Sequence, residues 1–423
     1  MMISKASTPI SAARRRWLQL CAGGLLLPQG SALFAAPEER DARFLLVFLR
    51  GAYDAANLLV PIASDFYYEQ RPRIAIARPG SGGDSALPLP GNSDWGLHPA
   101  LRDSVHPLLQ AGQALFIPFA GSEDLSRSHF ETQDSIELGQ PLAGSRDYGS
   151  GFMNRLAAEL GARRAMAFTD QLPLAFRGAA PIANTALREG PRPAPDARMR
   201  AALLAMYQGD ALLQARVQEG FALREELARE LDPARRGAVN MAGGEPASRA
   251  PLLSAKGFEL EARRIARLMS ARVQLGFVDV GGWDTHVGQG GASGALATRL
   301  EELGRGLAAF ADELGPEAWR HTTVLVISEF GRTFRENGNR GTDHGHGSTY
   351  WLLGGGLAAN AHGGVAGEQI ALTAASLNQG RDYPVLTDYR SLLGGLWRRQ
   401  FGLSDAALAR IFPGVAARDL GLI

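Results

Sequence analysis

Four of the eight histidines in this 423-residue chain lie in short polar clusters that also contain aspartate or glutamate. Imidazole and carboxylate groups gathered in this way are typical ligands of zinc, manganese and similar divalent ions. The clusters read R-G-A-Y-D-A-A-N at 50–57, S-R-S-H-F-E-T-Q-D at 126–134, D-V-G-G-W-D-T-H at 279–286, S-E-F-G-R-T at 328–333 and G-T-D-H-G-H-G at 341–347. We therefore predict a site for one or two divalent ions, zinc or manganese, built from these clusters.

Each cluster taken alone also has a structural interpretation, because the same residue types cap helices, stabilise turns and form ion pairs. In that interpretation Asp54, Asn57 and Ser128 cap helices, Asp284 and His286 stabilise a turn, and Glu329 pairs with Arg332 or Arg335. Ser128 with Glu131 matches the S-x-x-E capping box. The group Asp343, His344 and His346 is the hardest to explain structurally. All the clusters follow strands, which independent caps need not do, and together they favour a functional site.

The elements that position the clusters alternate along the chain. Continuous apolar runs at 44–49, 114–117, 273–280 and 323–327 predict buried strands. Helical spacing occurs at 98–110, from near 128, and at 151–160, 252–270 and 295–314. This alternation predicts an α/β protein with a mostly parallel sheet and helices on both faces. Ligands of such sheets bind beyond the carboxyl ends of the strands, where the clusters fall.

Two further segments interrupt the alternation. Residues 80–96 are rich in Gly, Ser and Pro, which predicts a surface loop. An Ala- and Leu-rich helical pattern covers 196–231, and we predict a helical insertion at about 190–270.

The composition excludes several classes of protein. At 45% hydrophobic and 21% charged residues the chain is neither disordered nor fibrous. Its 44 Lys and Arg nearly balance 43 Asp and Glu, and no basic block occurs in the body of the chain, so we predict no nucleic-acid partner.

The N-terminus predicts export. Arg14-Arg15-Arg16-Trp17-Leu18 fits the twin-arginine pattern, and the apolar stretch that follows is too short to span a bilayer stably. We predict that residues 1–36 are a cleaved signal, that 37–423 form a single domain, and that the twin-arginine translocase is a partner during export. Cleavage would remove four cations, changing the net charge from +1 to −3, together with the single cysteine. A cysteine-free mature chain suits the periplasm.

Taken together, the motifs resemble the exported family known as domain of unknown function 1501. They are the early G-x-x-D-x-x-N, then S-R-S-H-F-x-x-Q-D, D-x-G-G-W-D-T-H, S-E-F-G-R-T with E-N-G, and G-T-D-H-G-H-G. The resemblance extends from about Phe44 to the Phe-Pro-Gly at 412–414.

This family is in turn similar to the alkaline phosphatase and sulfatase superfamily. The similarity implies an alkaline-phosphatase-like three-layer sandwich with metals at the carboxyl edge of its sheet and a nucleophile that starts a helix. Carried over by motif, it implies metal ligands at Asp54, Asp284, His286 and at His344 or His346, and a nucleophile at Ser126 or Ser128. The spacing to the following histidine favours Ser126, because Ser128 is also the candidate cap.

The chain departs from the superfamily at one informative position. The superfamily has Asp-His after the late strand, where this chain has Glu329-Phe330. Phenylalanine cannot bind a metal, so a second ion would require ligands from Asp343 and His344. The mature chain has no cysteine and no S-x-P-x-R motif at the candidate serine, which argues against a formylglycine sulfatase.

We therefore expect an exported metal-dependent hydrolase or transferase of a phosphate- or sulfate-type ester, carried by a small molecule or a polymer. In this hypothesis Ser126 attacks the ester, and the metal ligands are drawn from Asp54, Asp284, His286, Glu329, Asp343, His344 and His346. Arg127 and Asn57 bind the ester oxygens, with His129 and Arg332 as further substrate contacts. The alternative is a non-catalytic binding or assembly protein with a degraded metal site.

Overall fold

An eight-stranded sheet lies at the centre of the protein, in a computed structural model that describes residues 42–161, 164–187, 196–231, 257–358 and 362–423. Its strands are β1 (Arg43–Leu49), β5 (Ala114–Gly121), β6 (Ala165–Ala167), β7 (Ala183–Asn184), β8 (Leu275–Val280), β9 (Thr322–Ser328), β10 (Ser348–Gly354) and β11 (Thr387–Asp388). They are ordered β11-β5-β10-β9-β1-β8-β6-β7. Strand β10 is antiparallel to β5 and β9, and the other pairs are parallel, so the mostly parallel sheet is confirmed.

Both faces of this sheet are buried, as the continuous apolar runs predict. Along β1, Leu45, Val47 and Leu49 belong to one hydrophobic core. The alternate residues Phe44, Leu46 and Phe48 belong to a second core on the opposite face. A strand covered on two faces must be apolar throughout, because successive side chains point to opposite sides.

Helices cover each face and complete the three layers. In chain order they are α1 (Ala55–Leu58), α2 (Asp65–Gln70), α3 (Val105–Gln110), α4 (His129–Leu138), α5 (Phe152–Glu159), α6 (Ala197–Met206), α7 (Ala211–Glu230), α8 (Phe258–Ala271), α9 (Ala295–Arg320), α10 (Tyr389–Phe401) and α11 (Asp405–Ile411). Buried residues of α8 and α9 belong to the core that contains Leu45. Those of α5, α10 and α11 belong to the core that contains Phe44.

Helix α9 illustrates how the sequence specifies this packing. Its buried leucines at 296, 300, 303, 307 and 314 recur every three or four residues, together with Phe310, and form one apolar stripe. Gly315, with a φ of 74°, interrupts the helical backbone near the end, and Pro316 follows it. Proline is tolerated there because it begins the last turns rather than lying inside a continuous helix.

Residues 80–96, predicted to be a surface loop, contain two strands instead. Strands β3 (Leu87–Leu89) and β4 (Asn92–Leu97) form a small antiparallel sheet with β2 (Leu59–Val60), in the order β2-β4-β3. Leu87 and Leu89 point inward and Pro88 points outward, an alternation that the high Gly, Ser and Pro content obscures. The proline is accommodated because β3 is an edge strand.

Two predicted helical segments are divided differently in the structure. The helix expected at 98–110 is a 3-10 turn at Pro99–Leu101 followed by the short α3. Within the predicted insertion, α6 has no buried residue, whereas α8 is part of the helical layer on the sheet. Residues 188–195 and 232–256 of that insertion, like the predicted signal peptide, lie outside the described residues. Among the described helices, none has the length and apolar character needed to cross a membrane.

His98 connects the small sheet to the loop that follows β8. The side chain is fully buried; its Nδ1 accepts a hydrogen bond from the Ala100 amide and its Nε2 lies 3.0 Å from the Gly291 carbonyl oxygen. This arrangement requires a neutral imidazole with the proton on Nε2. Burial lowers the pKa of His98 to about 4, although the Gly291 carbonyl opposes the shift.

We predict that His98 contributes to the pH dependence of folding stability. Its pKa is about 4 when folded and about 6.5 when unfolded, so the unfolded chain binds the extra proton as the pH falls through this window. The stability contribution is complete above pH 6.5 and declines by about 3 kcal/mol by pH 4. In His98→Gln, urea unfolding should show a correspondingly smaller loss of stability between pH 7 and pH 4.5.

His106→Gln is the matched control, since the His106 ring also contacts a backbone carbonyl, that of Pro88, but on the exposed side of α3. It should keep the wild-type dependence on pH. An unchanged pH dependence in His98→Gln would contradict the prediction.

Candidate metal centre

The polar clusters converge because their loops leave the same edge of the sheet. Strand β1 lies between β8 and β9, and Leu49 is paired with both Val280 and Ser328 at the strand ends. The residues that follow these three positions therefore emerge side by side. Strand β5 ends at this edge too, because β10 is antiparallel to both β5 and β9.

Gly51 allows two of these loops to pack closely together. Its φ of +116° is a conformation that residues with a side chain rarely adopt. A Cβ atom at this position would lie only 2.9 Å from the backbone nitrogen of Asp284. A larger residue would push apart the loops that follow β1 and β8.

Four side chains direct their ligand atoms toward a common point. The Nε2 atoms of His129 and His286 each lie 3.0 Å from Nε2 of His344. The Oδ1 atom of Asp284 lies 3.0 Å from Nε2 of His286, 3.3 Å from Nε2 of His344 and 3.6 Å from Nε2 of His129. Four ligands around zinc at bonds of about 2.1 Å would be separated by about 3.4 Å. The spacings given above are of this size, and His129, Asp284 and His344 form a compact group whose ligand atoms all lie within 4.8 Å of one another. His286 is not part of that group, and its Nε2 also lies 3.4 Å from a guanidinium nitrogen of Arg332.

The other ring nitrogen of each histidine is held by an acceptor. Nδ1 of His129 lies 2.7 Å from Oε1 of Glu329, and Nδ1 of His286 lies 3.0 Å from Oδ1 of Asp343. Nδ1 of His344 lies 2.9 Å from the Arg127 carbonyl oxygen. These acceptors place the proton on Nδ1 in the neutral rings, so each Nε2 presents a lone pair. Nε2 atoms 3.0 Å apart need a positive charge between them, which is either a proton shared by the two rings or a metal ion.

The charges around this point also suit a divalent cation. Asp284, Glu329 and Asp343 contribute three negative charges and Arg332 contributes one positive charge, leaving −2. The Arg332 side chain is fully buried and donates to Oδ1 of Asp284, and also to the carbonyl oxygens of Gly51 and Ala52. A divalent ion would therefore balance the local charge.

The pKa shifts agree with this charge state. Burial acts to raise the pKa of Asp284, but the hydrogen bond and charge of Arg332 outweigh it, and the pKa lies below its usual value. Burial of Glu329 is likewise outweighed by hydrogen bonds from His129 and Gln133, and by others from the backbone, so its pKa is lowered. Both carboxyl groups are ionised at neutral pH. The hydrogen bond to Glu329 raises the pKa of His129, and burial lowers that of His344.

Asp54 lies outside the cluster and has a structural role in place of the predicted ligand role. Both carboxylate oxygens accept hydrogen bonds from the guanidinium of Arg71, at 2.5 and 3.0 Å, and one also accepts from Gln289. All of its neighbours are buried. The predicted substrate contact Asn57 belongs to the same network, because its Oδ1 accepts hydrogen bonds from Tyr67 and Arg71.

The segment 126–128 is placed partly as expected. Ser128 caps α4 through the Glu131 amide, as the capping box predicts. The Oγ atom of Ser126 lies 3.2 Å from Oγ1 of Thr132 and accepts from the Ser128 amide. Arg127 turns away from the cluster: its guanidinium binds the buried carboxylate of Asp382 and the Gln379 side chain, so it does not offer the substrate contact predicted for it.

Four predicted residues remain, and none of them joins the ligand atoms at the common point. Glu329 and Asp343 support the ligands His129 and His286 rather than joining the ligand set. His346 is buried near Arg127 and Asp124. Burial and the charge of Arg127 lower its pKa, and Asp124 opposes this shift. Arg332, predicted to bind substrate, has its donors committed to Asp284 and to backbone carbonyls.

His129 was expected to contact substrate, and its position among the metal ligands differs from that expectation. The signal that could have revealed it is its place at the first residue of a helix directly after a capping serine, at the carboxyl edge of the sheet. Sequence reasoning also did not identify the large apolar side chains beside two of the ligands. Phe130, next to His129, is 86% exposed, and Val287, next to His286, is 70% exposed.

The fold and the cluster define an α/β protein with a candidate metal centre at the carboxyl edge of its sheet. The chain belongs to the family described as protein of unknown function (DUF1501), whose model matches residues 41–412. This confirms the family suggested by the motifs. No curated protein matches the chain.

Solved structures show a distant similarity. A crystal structure described as Ps i-CgsB in complex with k-i-k-neocarrahexaose is 9% identical, with a TM-score of 0.39, and the match covers 90% of this chain and 75% of that one. A second structure of Ps i-CgsB is 10% identical, with a TM-score of 0.33, and the match covers 77% of this chain and 68% of that one. At these values neither neighbour bears on the chemistry of the site.

We predict that the purified protein binds about one equivalent of zinc or manganese, in agreement with a single compact ligand group. Asp284→Ala and His344→Ala should each lose most of this metal, because each removes an atom near the centre of the cluster. Elemental analysis of protein purified without chelator measures the content.

His346→Gln is the matched control, since this histidine is two residues from His344 but lies outside the cluster. It should keep the wild-type metal content. Metal loss in His346→Gln equal to that in His344→Ala would contradict the ligand assignment.

Proposed function

We propose that this chain is a metal-dependent hydrolase or transferase that acts on a phosphate- or sulfate-type ester. The observation that supports this most is the exposure of the cluster: the ligand side chains of His129, His344, His286 and Asp284 are 22%, 27%, 38% and 45% exposed. Structural zinc sites are closed by four protein ligands, whereas catalytic sites have three protein ligands and an open fourth position. The compact group of His129, Asp284 and His344 supplies three ligand atoms and is exposed to solvent, so a substrate oxygen can take the remaining position on the ion.

Zinc or manganese held by His129, Asp284 and His344 would polarise an ester oxygen and neutralise charge that develops on it. The surrounding residues keep the ligands ready for this. Glu329 and Asp343 orient two imidazoles, and Arg332 holds Asp284 ionised.

Ser126 is the proposed nucleophile. It is exposed between β5 and α4, whereas the Ser128 hydroxyl is occupied as the cap. The segment is anchored to the site, because the carbonyl of Arg127 binds Nδ1 of His344. The first turn of α4 begins at the ligand His129, and backbone N–H groups at a helix N-terminus favour anionic oxygens such as those of a phosphate or sulfate.

A non-catalytic binding protein is the second candidate, and one specific observation favours it. Arg127, the residue expected to bind the ester oxygens, is committed to Asp382. In this alternative the metal serves to hold a ligand, and the hydroxyl of Ser126 has no chemical role.

The two candidates differ in the effect of Ser126→Ala. For the enzyme, we predict that hydrolysis of 4-nitrophenyl phosphate or 4-nitrophenyl sulfate, whichever is the better substrate, falls by roughly 1,000-fold or more. Metal content should be unchanged, because Ser126 is not a ligand. Turnover and metal content are measured on the same preparations.

Ser128→Ala is the matched control two residues away. It should keep most of the turnover and lose about 1 kcal/mol of stability, because it removes a helix cap. Full turnover in Ser126→Ala would exclude this nucleophile, and the absence of turnover in metal-loaded wild type would favour the binding protein.

We also propose that the protein acts in the periplasm after export by the twin-arginine route. The support is the Arg14-Arg15-x-Trp-Leu pattern and the lack of cysteine after residue 21. This route carries folded proteins, and a site built from residues as far apart as His129 and His344 can bind its metal only after folding.

Replacing Arg14 and Arg15 together by lysine should prevent export and leave the precursor in the cytoplasm, as measured by cell fractionation. Arg16→Lys is the control, because this residue occupies the variable position of the pattern. Normal export of the double variant would contradict the proposed route.

A further inference from the structure

A cavity of about 360 Å³ lies directly beside the metal centre. Two of its lining residues also support the metal ligands. Asp343 holds Nδ1 of His286, and Arg381 donates a hydrogen bond of 2.8 Å to the His344 carbonyl oxygen. The cavity therefore adjoins two residues that hold the histidines of the candidate metal centre.

Part of the cavity wall is aromatic and aliphatic. Phe66 and Phe334 stack with ring centroids 5.2 Å apart and an interplanar angle of 13°. Leu377 and Ala374 add aliphatic surface. A volume of this size matches the lower end of small-molecule pockets and suits a ring-sized group.

The polar part of the wall contains two arginines, Arg335 and Arg381, and two carboxylates, Glu336 and Asp343. Arg381 binds the Asp382 carboxylate, which it shares with Arg127. The exposed Arg335 uses its Nε to bind Gln70, and within the described ranges of the chain its two Nη atoms have no acceptor.

Neither carboxylate of the cavity wall accepts a hydrogen bond from Arg335, because each has other partners. Glu336 accepts hydrogen bonds from the side chain and backbone of Arg73 and from the Ile74 amide. Asp343 accepts from Asn337 and contacts His286. An anionic group in the cavity would supply the partner that Arg335 lacks, through charge-assisted hydrogen bonds.

We propose that this cavity binds the organic part of the substrate, and that this part is a ring carrying its own anionic substituent, such as a carboxylate, phosphate or sulfate. Phe66, the partly exposed member of the stacked pair, contacts the ring and Arg335 binds the anion. The link to an ester substrate rests on the proposed function, but binding of the ring and its anion does not.

Naphthalene-2-sulfonate is a suitable probe, with neutral 2-naphthol for comparison, and binding is measured by isothermal titration calorimetry on the full chain. Wild type should bind one molecule of the sulfonate, and should bind 2-naphthol about 10-fold more weakly. Arg335→Gln should weaken sulfonate binding about 10-fold and leave 2-naphthol binding unchanged. Arg340→Gln, an exposed arginine outside the cavity, is the matched control and should bind as wild type does.

Ala374→Trp provides a second variant, because this exposed residue lines the cavity and a larger side chain would fill it. It should abolish binding of both probes. Equal sulfonate affinity in wild type and Arg335→Gln, or no saturable binding to wild type, would overturn the proposal. Since binding needs no turnover, failure of the esterase assay alone would overturn the proposed function and leave the cavity as a ligand site.

Discussion

The structure around the site depends on how three imidazole rings are fixed. Each donates Nδ1–H to an acceptor of the protein, and each therefore presents the Nε2 lone pair to the same small volume, where Asp284 adds an oxygen. Without the fold, the three imidazole rings would move apart because their Nε2 lone pairs repel one another. The fold opposes that separation through loops anchored on adjacent parallel strands and through the short contact between Gly51 and the Asp284 backbone. We propose that a metal ion relieves the resulting repulsion, which would link metal binding to the stability of this edge of the sheet.

Two buried charged residues behind the cluster hold its side chains in one conformation. Arg332 is fully buried among carbonyl oxygens, where a guanidinium is tolerated only because its donors are satisfied. Glu329 is buried on the other side and accepts hydrogen bonds from the amides of Gly51 and Ala52 and from Gln133. These two opposite charges fix Asp284 and His129, respectively. A second buried pair, Arg71 and Asp54, joins the loop after β1 to the loop at 333–334 and carries no ligand.

The fold was largely predictable because local patterns determine its main elements. Apolar runs define β1, β5, β8 and β9, and the leucine stripe defines α9. The antiparallel β10 and the strands within 80–96 were not foreseen, since their pairing depends on partners far along the chain and their composition resembles that of loops. The positions of the candidate ligands were predictable where a cluster follows a strand directly, as at Asp284 and His286 after β8, whereas His344 lies just before β10. The roles of Asp54 and Glu329 depend on contacts with Arg71 and His129, and the latter is 200 residues away from Glu329. No local spacing reveals such contacts.

The central claim is that one cation is held by the Nε2 atoms of His129 and His344 and by the Asp284 carboxylate. Anomalous diffraction at the zinc absorption edge, on crystals of the zinc-loaded protein, tests this most directly. The account predicts one zinc peak, with His129, His344 and Asp284 within about 2.0–2.2 Å of it. Two peaks about 4 Å apart, or a zinc ion bound by Asp54 or His346, would contradict it.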